Sequence, residues 1–254
     1  MTFVNRVTAV AALLAVVATA GLSTARGEDK VDHAAFVAAR TSSLVTVKFV
    51  MKIKMGGMGD REQEGEITAV MIDPKGVVLC SNTQLGGISA AMRRMMQTDI
   101  SVVPSELKIL IGDDTEGIDA VLVARDSELD LAWVKIKDPG DQKFDAVDLA
   151  DSATAKIGQR LITLRRMGKF FARTIVVDEG MVGGVTKKPR HLFIPTGNLG
   201  SALGLPVYTG AGKLLGVTII QMPDSAEMGQ FSQDSAALVI LPAADVVKAT
   251  KRAR

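Results

Sequence analysis

The 254-residue chain contains one cysteine, two histidines, one tryptophan and one tyrosine, and aromatic residues make up 4% of it. A single cysteine, Cys80, excludes an internal disulfide and a cysteine-based zinc site. Two histidines leave little material for imidazole chemistry. Scarce stacking aromatics argue against nucleic acid as a partner. No charge of one sign dominates: 30 Lys+Arg stand against 28 Asp+Glu, for a formal net charge of +2. The whole chain is therefore not drawn to polyanions or to an anionic membrane. With 47% hydrophobic residues and only eight prolines, the composition is not that of a disordered, collagen-like or coiled-coil chain.

The one long apolar run is at the N-terminus. Arg6 is the sole charge among the first 25 residues, and residues 7–22 are uninterrupted apolar, Gly and Thr positions. The run is short for a membrane span of about 20 residues. Ser23, Thr24 and Ala25 then supply the small residues that a signal peptidase reads. Residues 1–25 are expected to be a signal peptide, although the same residues could serve as an uncleaved anchor. No stable span is expected once the signal is cleaved. In an exported protein, a lone Cys80 is tolerable if it is buried and inert.

After the run comes an N-terminal segment, residues 26–43, within which residues 32–40 (DHAAFVAAR) predict one short helix. The rest, residues 44–254, is dominated by β-branched runs. Strands are predicted at 44–53, 66–72, 77–80, 107–111, 118–124 and 131–136. A second series falls at 160–164, 174–177, 181–185, 191–194, 206–208, 214–220 and 236–241. Turn signals separate them, among them Asp73-Pro74-Lys75-Gly76, Asp138-Pro139-Gly140 and Gly210-Ala211-Gly212. This reads as an all-β chain, and roughly 210 residues of short strands suit two packed barrels rather than one. An amphipathic helix closes the chain over 243–250. Residues 87–97 (GISAAMRRMMQ) predict a helix with Met92, Met95 and Met96 on one face, either an ordinary amphipathic helix or an adaptable contact surface.

Several motif-like features carry no chemistry. Residues 210–216 (GAGKLLG) lack the spacing of a phosphate loop and lie between strands, so they are a hairpin turn. Asp113, Asp114 and Glu116 lack the alternation of a calcium loop. Met51, Met55 and Met58 alone are weak grounds for copper, and no metal or other cofactor is expected. Arg165, Arg166, Lys169 and Arg173, with Lys187, Lys188 and Arg190, form either a solvated face or a local positive patch for an acidic partner.

Three segments, in order, resemble the trypsin-like domain of the high-temperature-requirement (Deg-type) serine proteases. Residues 73–83 (DPKGVVLCSNT) resemble the stretch that ends in the catalytic histidine. Residues 125–136 (RDSELDLAWVKI) resemble the stretch bearing the catalytic aspartate, and residues 201–207 (SALGLPV) resemble the nucleophile loop. Residues 147–152 with Ile157-Gly158 are similar to the linker between barrels, and residues 237–242 to the last strand. The resemblance implies a trypsin-like double β-barrel with a short C-terminal helix. It assigns the general-base position to Thr83, the orienting carboxylate to Asp130 and the nucleophile to Leu203, so only Asp130 matches the family. A threonine hydroxyl cannot take up a proton as imidazole does, and leucine has nothing to attack with. Ser201 falls at the position of the glycine that lends a backbone N–H to the oxyanion hole, and is the alternative nucleophile if the loop aligns differently.

The N-terminal run and the resemblance together lead to the expectation of an exported, catalytically inactive homologue, in the periplasm, cell envelope or medium, that acts as a polypeptide-binding or regulatory module. The family's cleft binds extended peptides by strand addition, which needs only backbone groups. An active serine endopeptidase using Ser201 and a structural envelope protein remain as alternatives. Nothing in the sequence specifies the oligomeric state.

Overall fold

The computed structural model describes residues 31–55, 61–88, 100–188, 190–222 and 237–253. The N-terminal run at 1–25, most of the methionine-bearing segment at 87–97, and Met58 lie outside the described residues. Among the described residues, no helix is long and apolar enough to cross a membrane.

Helix α1 (His33–Arg40) opens the described chain, and the Asp32 carboxylate caps it by accepting from the N–H groups of Ala34 and Ala35 at 3.0 and 3.2 Å. Strands β1 (Leu44–Met55), β2 (Arg61–Asp73), β3 (Val77–Ser81), β4 (Ile100–Ile111), β5 (Ile118–Asp126) and β6 (Leu131–Ile136) close one antiparallel barrel in the order β1-β2-β3-β6-β5-β4. Strands β7 (Arg160–Arg166), β8 (Ile175–Thr186), β9 (Leu192–Gly197), β10 (Pro206–Thr209), β11 (Leu214–Gln221) and β12 (Ala237–Pro242) close a second in the order β10-β11-β12-β9-β8-β7. Helix α2 (Ala243–Ala253) ends the chain. The double β-barrel expected from the strand pattern is the architecture.

The thirteen expected strands become twelve because 174–177 and 181–185 join as β8. Asp178, Glu179 and Gly180 between them read as a turn, but both carboxylates are satisfied by arginines of β7. Arg165 Nε lies 2.6 Å from Asp178 Oδ2 and Arg160 Nη2 lies 2.6 Å from Glu179 Oε2. Cross-strand pairing of this kind keeps a charged stretch in the ladder.

The strands with near-continuous apolar runs are apolar for a reason. In β3, Val78 and Cys80 point into the first barrel, whereas Val77 and Leu79 join a cluster shared by both barrels. In β6, Ala132 and Val134 face inward and Leu131 and Trp133 face the seam. In β12, Ile240 lies inside the second barrel, with Val239 and Leu241 on the seam. A strand buried on both faces shows no polar alternation. The seam cluster is the largest and also takes Phe36 of α1 and Val246 and Ala249 of α2, so both helices pack onto it.

Helix α1 is fastened by more than Phe36. Phe36 meets Tyr208 edge-on at 5.2 Å, Arg40 sits 5.0 Å over the same ring, and His33 hydrogen-bonds Glu179. Arg160, and then His33, hold the Glu179 carboxyl below the usual carboxylate range.

Helix α2 is fixed by the lone tryptophan: Trp133 Nε1 donates to Thr250 Oγ1 at 3.1 Å in the interior. Replacing Thr250 by valine keeps the shape and strands the indole N–H. Thr250→Val should lower stability by about 1–3 kcal/mol. Urea denaturation followed by Trp133 fluorescence should show a lower midpoint at unchanged slope; an unchanged midpoint would show that this bond contributes nothing.

Candidate functional site

The turn over residues 82–87, which follows β3, carries Thr83, and the turn over residues 127–130, which leads into β6, carries Asp130. Ser81 pairs with Leu131 at the end of the β3–β6 ladder, and Asn82 N donates to Asp130 O at 3.0 Å, which extends it. Asp126 Oδ1 holds the second turn by accepting from Glu128 N and Leu129 N at 3.1 and 3.0 Å. Asp130 itself adopts a left-handed backbone, φ 52°, a region that aspartate enters more readily than most residues.

The Asp130 carboxylate is 3% exposed and is met by three donors. Oδ1 accepts from Thr83 N at 2.7 Å, and Oδ2 accepts from Ser81 Oγ at 2.9 Å and from Ile220 N at 3.4 Å. Asp130 therefore holds the backbone of Thr83, while the Thr83 side chain stands exposed. The third donor belongs to β11, so this carboxylate links the two barrels.

Leu203 arrives from the second barrel. Its loop is shaped by Ala202 N donating to Leu199 O at 3.1 Å and Gly204 N donating to Thr218 O at 2.9 Å, with Thr218 Oγ1 donating to Ala202 O. Gly204 has φ +78°, and a Cβ there would lie 2.3 Å from Ser81 N. The loop backbone thus sits directly against the end of β3. Thr83 and Asp130 are in contact, and Leu203 joins them through its neighbour Gly204 and Ser81. The Leu203 side chain is 8% exposed, whereas Ser201 is exposed.

Neither imidazole serves Ser201. His33 is engaged by Glu179, and His191 stands edge-on to Phe193 at 4.9 Å. Lys213 is paired with Asp151 at 3.1 Å. Among the described residues no base is hydrogen-bonded to Ser201.

Sequence reasoning did not single out the residues that shape the first turn. Arg125 donates from Nη1 to Asn82 Oδ1 at 2.8 Å and from Nη2 to Leu85 O at 3.0 Å, and burial pulls its guanidinium below the ordinary arginine value. Ser81 Oγ both donates to Asp130 and accepts from Gln84 N at 3.2 Å. Ser81, Asn82 and Arg125 all lie inside the segments that carry the resemblance, but no spacing rule marks a turn brace.

The arginines gathered at 165–173 do not make an open positive patch. Arg165 is paired with Asp178, and Arg173 is bidentate to Glu66 at 2.8 and 3.0 Å. Arg166 is buried. Lys169, Lys187 and Lys188 remain exposed. Asp114 is used in its own turn, accepting from Glu116 N and Gly117 N at 3.0 Å each.

Beside the site, Cys80 is fully buried in the first barrel, and burial pushes its thiol from 9.0 up to about 12. An unfolded chain releases that proton above its ordinary value while the folded protein keeps it. Stability is therefore unaffected by Cys80 below pH 9.0 and falls as the pH rises toward about 12. Urea midpoints at about pH 8 and about pH 11 should fall less steeply in Cys80→Ala than in the parent. Equal slopes would refute the assignment. A second outcome concerns Gly204: Gly204→Ala should cost at least about 2 kcal/mol, because it meets backbone and forces a positive φ on alanine. An unshifted thermal midpoint for that variant would show that the loop does not rest on β3.

Comparison with known proteins follows from this geometry. Residues 67–217 match the family described as trypsin-like peptidase domain, a span that contains Thr83, Asp130, Ser201 and Leu203. Two solved structures share the fold. The crystal structure of Deg5 is 15% identical, with a TM-score of 0.56 over 85% of this chain and 90% of that one. The apo protease domain of MamO from Magnetospirillum magneticum is 16% identical, with a TM-score of 0.51 over 83% of this chain and 97% of that one. No curated protein matches by sequence.

Proposed function

The chain belongs to the trypsin-like peptidase family, and on that premise we propose that it is a catalytically inactive, Deg-type member acting as a polypeptide-binding or regulatory module. The observation that carries this reading is Leu203, a buried aliphatic side chain at the position that the resemblance of residues 201–207 assigns to the nucleophile. Acyl transfer needs a group that attacks and a base that takes its proton. Leucine supplies neither, and the exposed Thr83 hydroxyl is too weakly basic for the second task near neutral pH. Asp130, the retained member, has its oxygens engaged by Ser81, Thr83 and Ile220, which suits a folding role.

Binding asks less of the site than catalysis does. A peptide added along a strand edge is held by backbone N–H and C=O groups, and those survive the loss of a nucleophile. The apolar run at residues 7–22 followed by Ser23, Thr24 and Ala25 supports export, and with it an envelope or extracellular polypeptide as the partner.

A displaced nucleophile at Ser201 has one feature in its favour, the exposure of that side chain. Fluorophosphonate labelling and casein digestion, run beside Ser201→Ala, decide between the two. Absence of labelling and intact casein are expected. Labelling that disappears in Ser201→Ala would overturn the proposal and identify a protease.

A further inference from the structure

Away from the Asp130 site, a cavity of about 490 Å³ opens between α1 with its following turn, the mouth of the first barrel, and the end of β7. Val45, Met71 and Phe144 make apolar walls, and each is buried. Arg166, 9% exposed, also lines it. Its guanidinium is poorly matched: Nε reaches Leu44 O at 3.4 Å and Nη1 reaches Arg173 O at 3.5 Å, both long. Among the described residues no carboxylate lies within ion-pair distance of it. Asp113 acts on it only from farther off, and burial pulls the group below the ordinary arginine value.

A buried cation without an anionic partner is costly, and a guanidinium in particular presents a planar fork that a carboxylate fills with two bonds. The mouth carries one charge of each sign, Lys143 and Asp145, both exposed. The two offset one another, which leaves Arg166 as the uncompensated cation for a single negative charge. Thr41, Ser42 and Gln142 add polar groups beside the apolar Val45, Met71, Ile111 and Phe144, and the volume falls within the roughly 300–1,000 Å³ usual for small-molecule sites. We propose that this cavity is a binding site for a small aliphatic monocarboxylate, with the carboxylate on Arg166 and the apolar body against Val45, Met71 and Phe144.

The test is isothermal titration calorimetry of the purified protein with octanoate, and with octanol as an uncharged probe of the same length. One octanoate per chain should bind saturably, at least about tenfold tighter than octanol. Arg166→Met should weaken octanoate at least about tenfold, while octanol should be unaffected. Because Arg166 also bonds the backbone of Leu44 and Arg173, Ser42→Trp provides a variant that leaves those bonds intact. Ser42 lines the cavity from the exposed turn, and an indole there should fill the space and abolish binding with unchanged circular dichroism. No saturable octanoate binding, octanol binding equally well, or Ser42→Trp binding like the parent would each overturn the proposal.

Discussion

The Asp130 carboxylate must be satisfied without a cation in ion-pair reach among the described residues, and that constraint fixes the place where the barrels meet. A charged group taken out of water is tolerated only if its lone pairs are occupied. The donors that occupy them come from the end of β3, from the turn that follows it, and from β11 of the other barrel. Each donor then pins an element. Thr83 N fixes the start of the turn, Ser81 Oγ passes the constraint to Gln84 N, and Ile220 N holds β11 against the first barrel. The approach of Gly204 to Ser81 N is the packing counterpart of the same junction.

This junction holds the backbone around Thr83 and Leu203 without calling on either side chain. Asp130, Gly204 and Thr218 are tied into backbone hydrogen bonding, so folding depends on them whatever the loop does chemically. Thr83 and Leu203 are placed by their backbones, and their side chains take no part in the junction. The backbone is specified by one set of residues and the chemistry by another, so the second can change while the first stands.

The fold was largely legible in the sequence because strand boundaries are written in local patterns. Doubly buried β3 and β6 appear as apolar runs, and the turn residues mark the ends. Asp130 was legible through the segment around it. Pairings between distant strands were not: Arg165 with Asp178, Arg160 with Glu179 and Arg173 with Glu66 make a basic cluster look open when it is largely neutralised within the fold. The break expected between 177 and 181 failed for the same reason, since a carboxylate reads as a turn residue until its cross-strand arginine is known. The cavity at Arg166 is the extreme case, because its walls come from residues 38–45, 71, 111–112 and 142–145. No window of sequence contains them together.

Leucine at position 203 has a thermodynamic consequence of its own. A nucleophile loop built for chemistry presents a polar group at a desolvated position, and such sites commonly trade stability for activity. A buried leucine makes no such trade. Burying its side chain contributes about 1.5–3 kcal/mol relative to leaving it exposed, and it does so where the loop backbone already rests on Ser81.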